Sequence, residues 1–286
     1  GSKANGADEV GGKDQANEII GFYNDALEAS RNYNRGIIES GEDYIRDAEK
    51  YVNDKLKSNW GNKPFLHTSY HDFGNKSKAA PTDAFGDKKE VIAKDFSELK
   101  KHAEDLQKLL SDIKSHLESE DFKDDKGAKF AELKQKAEAE IEGFQQVRTK
   151  LFGEMDSIVE KAEGIILEDH PLKENILSSK KLLAVAGDFI DEVVAQSEAE
   201  KVNVDKLEAA YKAIETQLAN NQKIEVKDAS AKSNYERLNK EGEDYLGALR
   251  KFIRDTKEKK KFDQNGFNQV DSAYQSLVSA YNSFVN

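Results

Sequence analysis

Hydrophobic residues in this chain recur at helical period, in stretches separated by short polar breaks. From residue 15 to about 57, Tyr23, Ser30, Ile37, Tyr44 and Tyr51 return every seven positions, while Ile20, Leu27, Ala48 and Val52 widen the stripe. A seven-residue repeat on a helix of 3.6 residues per turn marks a seam against a partner helix. Gly36 and Gly41 lie inside this first helix. Each lowers helix propensity by up to ~1 kcal/mol, and they suit a bend or a close helix crossing. The pattern is clearest over 88–118, where Ile92, Phe96, Leu99, Ala103, Leu106, Leu110, Ile113 and Leu117 alternate spacings of four and three. A third helix is predicted over 126–167, with Phe130, Leu133, Ala137, Ile141, Phe144, Leu151, Met155, Ile158 and Ala162 inward. Pro171 is tolerated in a first helical turn, so a fourth helix follows to about 199. Asn203 caps a fifth through its side-chain oxygen. The sixth covers 229–258 and the last 267–284. No segment alternates like a strand.

These elements predict an all-α fold: an elongated antiparallel helical bundle of about seven helices, with the long first three as its core. Residues 15–286 read as one helical-bundle domain, because the first and last helices both carry tyrosine-rich seams suited to pairing. A second subdomain from about residue 170 is the alternative. Residues 58–87 differ from the rest. They hold two of the three prolines, three glycines and the only tryptophan, and read as a long loop. Such loops are uncommon and often functional; the plainer reading is that their aromatics pin the loop to the bundle. "GEDYIRDAEKYV" from Gly41 is echoed by "GEDYLGALRKFI" from Gly242, as an old duplication or as two amphipathic helices converging.

Composition narrows the function classes. Hydrophobic residues are 37% and charged residues 35%, which implies much surface for little core. A net charge of -11 repels a phosphate backbone. The best basic patch, Arg250 to Phe262 in "RKFIRDTKEKKKF", falls where a helix ends and suits its dipole, so no nucleic-acid partner is expected. The absence of cysteine excludes disulfides, thiol catalysis and thiolate metal sites. No apolar run reaches the ~20 residues needed to span a bilayer. Residues 1–14 are small, polar and glycine-rich: Gly1 and Ser2 look like a tag scar, and the rest like a flexible tether following a removed signal peptide or lipid-bearing cysteine.

The candidate chemistry is sparse. In "ESEDFKDDKGAKF", five acids fall between Glu118 and Asp125. A calcium loop started at Asp121 puts Lys123 at its third position and Gly127 at its seventh, so the frame fails. Asp124 or Asp125 capping the next helix accounts for the acids better; a looser cation or partner site using Asp121, Lys123, Asp124 and Asp125 is the alternative. His67 and His71 are four apart, but Thr68 stands where a zinc protease needs glutamate. With Trp60 these residues are the candidate binding positions. No nucleophile elbow or phosphate loop is present, so no enzyme activity, metal or cofactor is expected.

Four features together resemble the YiiG-like bacterial lipoproteins, a domain family of unknown function: Tyr23-Asn24, "EDFKDDKGAKF", "YLGALRKFIRDTKEKKKF" and a final "LVSAYNSFV", in similar order from about Asp14 onward. The resemblance implies an exported, lipid-anchored, all-helical protein of the cell envelope, periplasmic or surface-facing, held to the membrane only through an N-terminal anchor absent from this chain. It brings no catalytic residues. The function expected is a non-catalytic binding or scaffold role with an envelope protein partner. The alternative is a small-ligand or cation binder using the 58–87 loop or the Asp121–Asp125 turn.

Overall fold

The computed structural model describes residues 11–68, 75–198 and 200–286. Among these residues there is no strand, and the helices fall where the periodicity predicts them. The first runs as α1 (Lys13–Tyr33), a π-helical stretch (Asn34–Glu39) and α2 (Ser40–Ser58). Then come α3 (Lys89–Ser119), α4 (Ala128–Ile166), α5 (Lys173–Glu198), α6 (Val204–Lys223), α7 (Lys232–Lys259) and α8 (Gln264–Val285). With the first counted once, the long helices among the described residues number seven. Lys13 and Asp14, assigned by sequence to the tether, form the first turn of α1; residues 1–10 lie outside the described residues.

The chain divides into two compact units, the first ending at Ile166 and the second beginning at Leu167. Each has its own hydrophobic core. The sequence offered this division only as its alternative, near residue 170.

In the first unit, helix direction follows from the contacts. Phe22 meets Phe96 with ring centroids 5.7 Å apart, and Tyr51 meets Phe122 at 5.7 Å. Between them, a Cβ on Gly41 would sit 3.0 Å from Leu110. Positions rise together, so the first helix and α3 run parallel. Helix α4 is antiparallel to both: Lys150 faces Asp95, His102 faces Glu140 and Gln145 reaches Asn34. The antiparallel core expected of the long first three helices thus consists of two parallel helices and one reversed against both. The reason lies in the long connection. Parallel neighbours need a crossover that carries the chain back. Lys76 pairs with Asp25 at 2.9 Å and Thr82 donates to Glu18 at 3.2 Å. Climbing from Ser58 to the level of Asp25 covers about 50 Å at 1.5 Å per helical residue, which takes about fifteen residues even when extended.

In the second unit, Ser179 donates to Asn221 and Gln196 to the Asn203 carbonyl, Asn221 to Asn239 and Arg250 to Tyr211, while Tyr235 packs on Phe284 and Phe252 on Phe267. Sequence-adjacent helices are therefore antiparallel, and α5 also packs against α8. This closes an up-down-up-down four-helix bundle. The expected Asn203 cap is present, its side chain accepting from the backbone N–H of Lys206 at 3.2 Å. The two echoed segments use one packing device. Gly41 admits Leu110, and Gly242 admits Leu218, whose Cδ1 would lie 2.8 Å from an added Cβ; Tyr44 and Tyr245, three residues on, are both buried.

Candidate functional site

The acid-rich turn between α3 and α4 is a pair of helix caps joined by a buried ring. Glu120, at φ 55°, closes α3 in the left-handed region. Phe122 follows, fully buried against Tyr51. Asp125 then starts α4: its Oδ1 accepts from the Gly127 N–H at 3.0 Å and its Oδ2 from the Lys129 N–H at 2.9 Å. The bond from Lys129 satisfies a first-turn donor that a helix start leaves without a partner, while the Gly127 N–H is shared with the Phe122 carbonyl at 2.8 Å. Glu120 binds Lys55 and Lys123, each at 2.9 Å. Hydrogen bonds from those two ammonium groups hold its carboxyl down at about 2. Asp121, Lys123 and Asp124 are exposed. Among the described residues no three metal-ligating side chains converge.

The loop residues separate. Phe85 is fully buried and meets Phe22 edge-on at 5.4 Å, so this aromatic does pin the connection to the bundle. Trp60 and Phe65 do not: they are 69% and 77% exposed. His67 is exposed and tilts against Phe65, centroids 4.5 Å apart. His71 lies outside the described residues. The basic stretch at the end of α7 is engaged locally: Arg250 donates to Tyr211 at 2.9 Å, Lys257 pairs with Glu208, and Lys259 reaches Asp263 at 3.4 Å.

The feature that sequence reasoning missed is a groove between α2 and α4. Helix α1 packs on α4, whereas α2 packs chiefly on α3. The π-helical stretch between them carries Ile37 and Ile38, adjacent in sequence and both buried. Such wide turns divert a helix and recur at functional sites. The gap left beside α2 holds about 370 Å³ near the Asp125 turn, where Val52, Leu56, Phe130 and Gly127 line it. It continues into a further 270 Å³ beside Ile45 and Ile141. Lys134 bridges it, bound to Glu49 and 3.6 Å from Glu138. Glu42, Glu49 and Glu138 face Arg46, Lys126 and Lys134 around the rim. Val52 and Phe130 are only 2% and 4% exposed, but Leu56 is 39% exposed. In sequence, Val52 and Phe130 looked like ordinary stripe residues, and only the departure of α2 from α4 opens a cleft over them.

No family model matches the chain, and no curated protein matches it. Solved structures share its fold, among them two from Bacteroides species. An alpha helical protein from Bacteroides fragilis aligns with a TM-score of 0.64 at 16% identity, over 96% of this chain and 98% of the other. An uncharacterized DUF3829-like protein from Bacteroides thetaiotaomicron aligns with a TM-score of 0.60 at 15% identity, over 93% and 98%.

Proposed function

We propose that this is an exported, lipid-anchored envelope protein that binds a partner protein through the α2–α4 groove and catalyses no reaction. The groove carries this reading. Helix pairs in a closed bundle bury their apolar faces on one another. Here Val52, Leu56 and Phe130 have an open cleft beside them, spanned by the ion pairs of Lys134. Exposed ion pairs of this kind contribute about 0–1 kcal/mol, so displacing them costs little. An apolar side chain that enters the cleft meets the exposed Leu56 with Val52 and Phe130 behind it, and an amphipathic helix is a common carrier of such an anchor. Three anions and three cations around the rim pair with flanking charges of either sign. The resemblance to YiiG-like lipoproteins supports the envelope address and the anchor.

The test is cross-linking of the natively anchored protein in envelope membranes, read by mass spectrometry. Wild type is expected to yield one reproducible partner, cross-linked from both α2 and α4. Leu56→Glu is expected to lose it while melting within a few degrees of wild type, because Leu56 is 39% exposed. A wild-type preparation without a partner, or recovery that is indifferent to Leu56→Glu, overturns the reading.

A further inference from the structure

In the first unit two acids on neighbouring helices each keep a buried carboxylate oxygen without a donor. Asp95 on α3 is 0% exposed. Its Oδ1 lies 3.4 Å from the Lys150 ammonium on α4, and its Oδ2 is buried with no donor. Oε2 of Glu154, one turn beyond Lys150, is also buried with no donor. Both carboxylates neighbour the same Lys150, and each keeps one buried oxygen out of reach of any donor. An ionised carboxylate only accepts hydrogen bonds, so a bond between two of them requires a proton. Two neighbouring carboxylates in a buried site do not both ionise readily.

We propose that Glu154 keeps a proton and shares it through a hydrogen bond with the donorless Oδ2 of Asp95, between α3 and α4, and that its release as pH rises loosens this end of the first unit. The surroundings favour retention. Burial and the adjoining Asp95 push the Glu154 carboxyl above its ordinary value, while Lys150 and Lys88 pull it the other way. Lys88 comes from the turn that opens α3, and Lys150 from α4 itself. Helix α1 meets this end with Phe22, packed on Phe96 and Phe85, and with Tyr23, packed on Phe152. Its Glu18 and Asp25 are engaged with Thr82 and Lys76. Asp95 thus adjoins in sequence the Phe96 ring that, through Phe22, is linked to the Phe85 contact.

The sign follows from linkage. An acid raised in the folded state keeps a proton that the unfolded chain has already released above the ordinary glutamate value of 4.5. The stabilisation is complete below that value and is lost as pH rises to the folded value. Across that window one linked proton raises the unfolding constant by at most about tenfold per pH unit. Burial also raises Asp156, so the informative quantity is the difference between wild type and variant.

Urea unfolding of the full chain is to be followed against pH for wild type, Asp95→Asn and Glu154→Gln, with a carbon-13 NMR titration of the Glu154 carboxyl in wild type. An amide donates to the remaining carboxyl without borrowing a proton. The steeper loss of stability above pH 4.5 is therefore expected in wild type and absent from both variants, and the Glu154 signal is expected to titrate above 4.5. Parallel pH profiles for wild type and the variants overturn the proposal. If neither variant folds, the wild-type titration decides alone: a Glu154 midpoint at or below 4.5 refutes the shared proton.

Discussion

Asp125 uses both carboxylate oxygens on backbone N–H groups at the start of α4, while Asp124 beside it is exposed. Removing a capping carboxylate costs about 0.5–2 kcal/mol, and an exposed substitution away from such features stays within about 0.5 kcal/mol. Asp125→Ala is therefore expected to lower the urea midpoint clearly, and Asp124→Ala to leave it nearly unchanged. Equal losses would mean that the turn relies on pooled charge rather than on one cap. The cap was legible in the sequence because an acid preceding a helical stripe has few other uses. The Asp95–Glu154 pair was not read, because 55 acids make any pairing look accidental. A signal was nevertheless present. Ile92-Asp95-Phe96-Leu99 and Leu151-Glu154-Met155-Ile158 share one spacing: apolar, acid at the third position on, then apolar at the fourth and seventh. That spacing puts each acid on the inward face of its helix, and two such motifs on neighbouring helices are a pattern that counting charges hides.

At the scale of elements, the second unit is tied together by a buried polar layer. Asn221, fully buried on α6, accepts from Ser179 of α5 at 3.3 Å and donates to Asn239 of α7 at 2.6 Å. Its backbone carbonyl accepts from the buried Tyr235 hydroxyl. Asn175 adds a bond to the Glu225 carbonyl at 3.4 Å. A buried polar group fixes register because only one alignment satisfies it. Asn221→Ala leaves the fully buried Ser179 hydroxyl without its partner, at about 1–3 kcal/mol for a buried group left unsatisfied. The variant is expected to lose at least that much in chemical denaturation; a loss below about 0.5 kcal/mol would mean that water replaces the amide. Helix existence was legible throughout, since a 3.6-residue stripe is a local property. Direction was not. Whether α3 runs with or against the first helix depends on pairs such as Phe22 with Phe96 and Tyr51 with Phe122. The only sequence trace of that choice is the length of the connection before α3. The groove was hidden for the same reason, because it exists only where α2 and α4 part.

At the scale of the whole molecule, the division at Ile166 and Leu167 makes a claim about folding. In the second unit each helix has two packed neighbours, α5 with α6 and α8, α7 with α6 and α8. Its core is its own: Phe189 meets Phe252, which stacks on Phe262 at 5.6 Å, and the Tyr245 hydroxyl donates to the Ala186 carbonyl at 2.6 Å. A closed ring of four amphipathic helices with short links meets the conditions for independent folding. The sequence offered a boundary near residue 170 only as its alternative, because a periodic stripe does not record which seam it faces. The fragment 167–286 is therefore expected to be fully helical by circular dichroism and to unfold in one cooperative transition. The intact chain is expected to show that transition again beside a second one from the first unit. Only the second of these should respond to Asp95→Asn, and only the first to Asn221→Ala. A fragment that melts without cooperativity would mean that the second unit draws its stability from the first, and the two cores would then have to be treated as one folding unit.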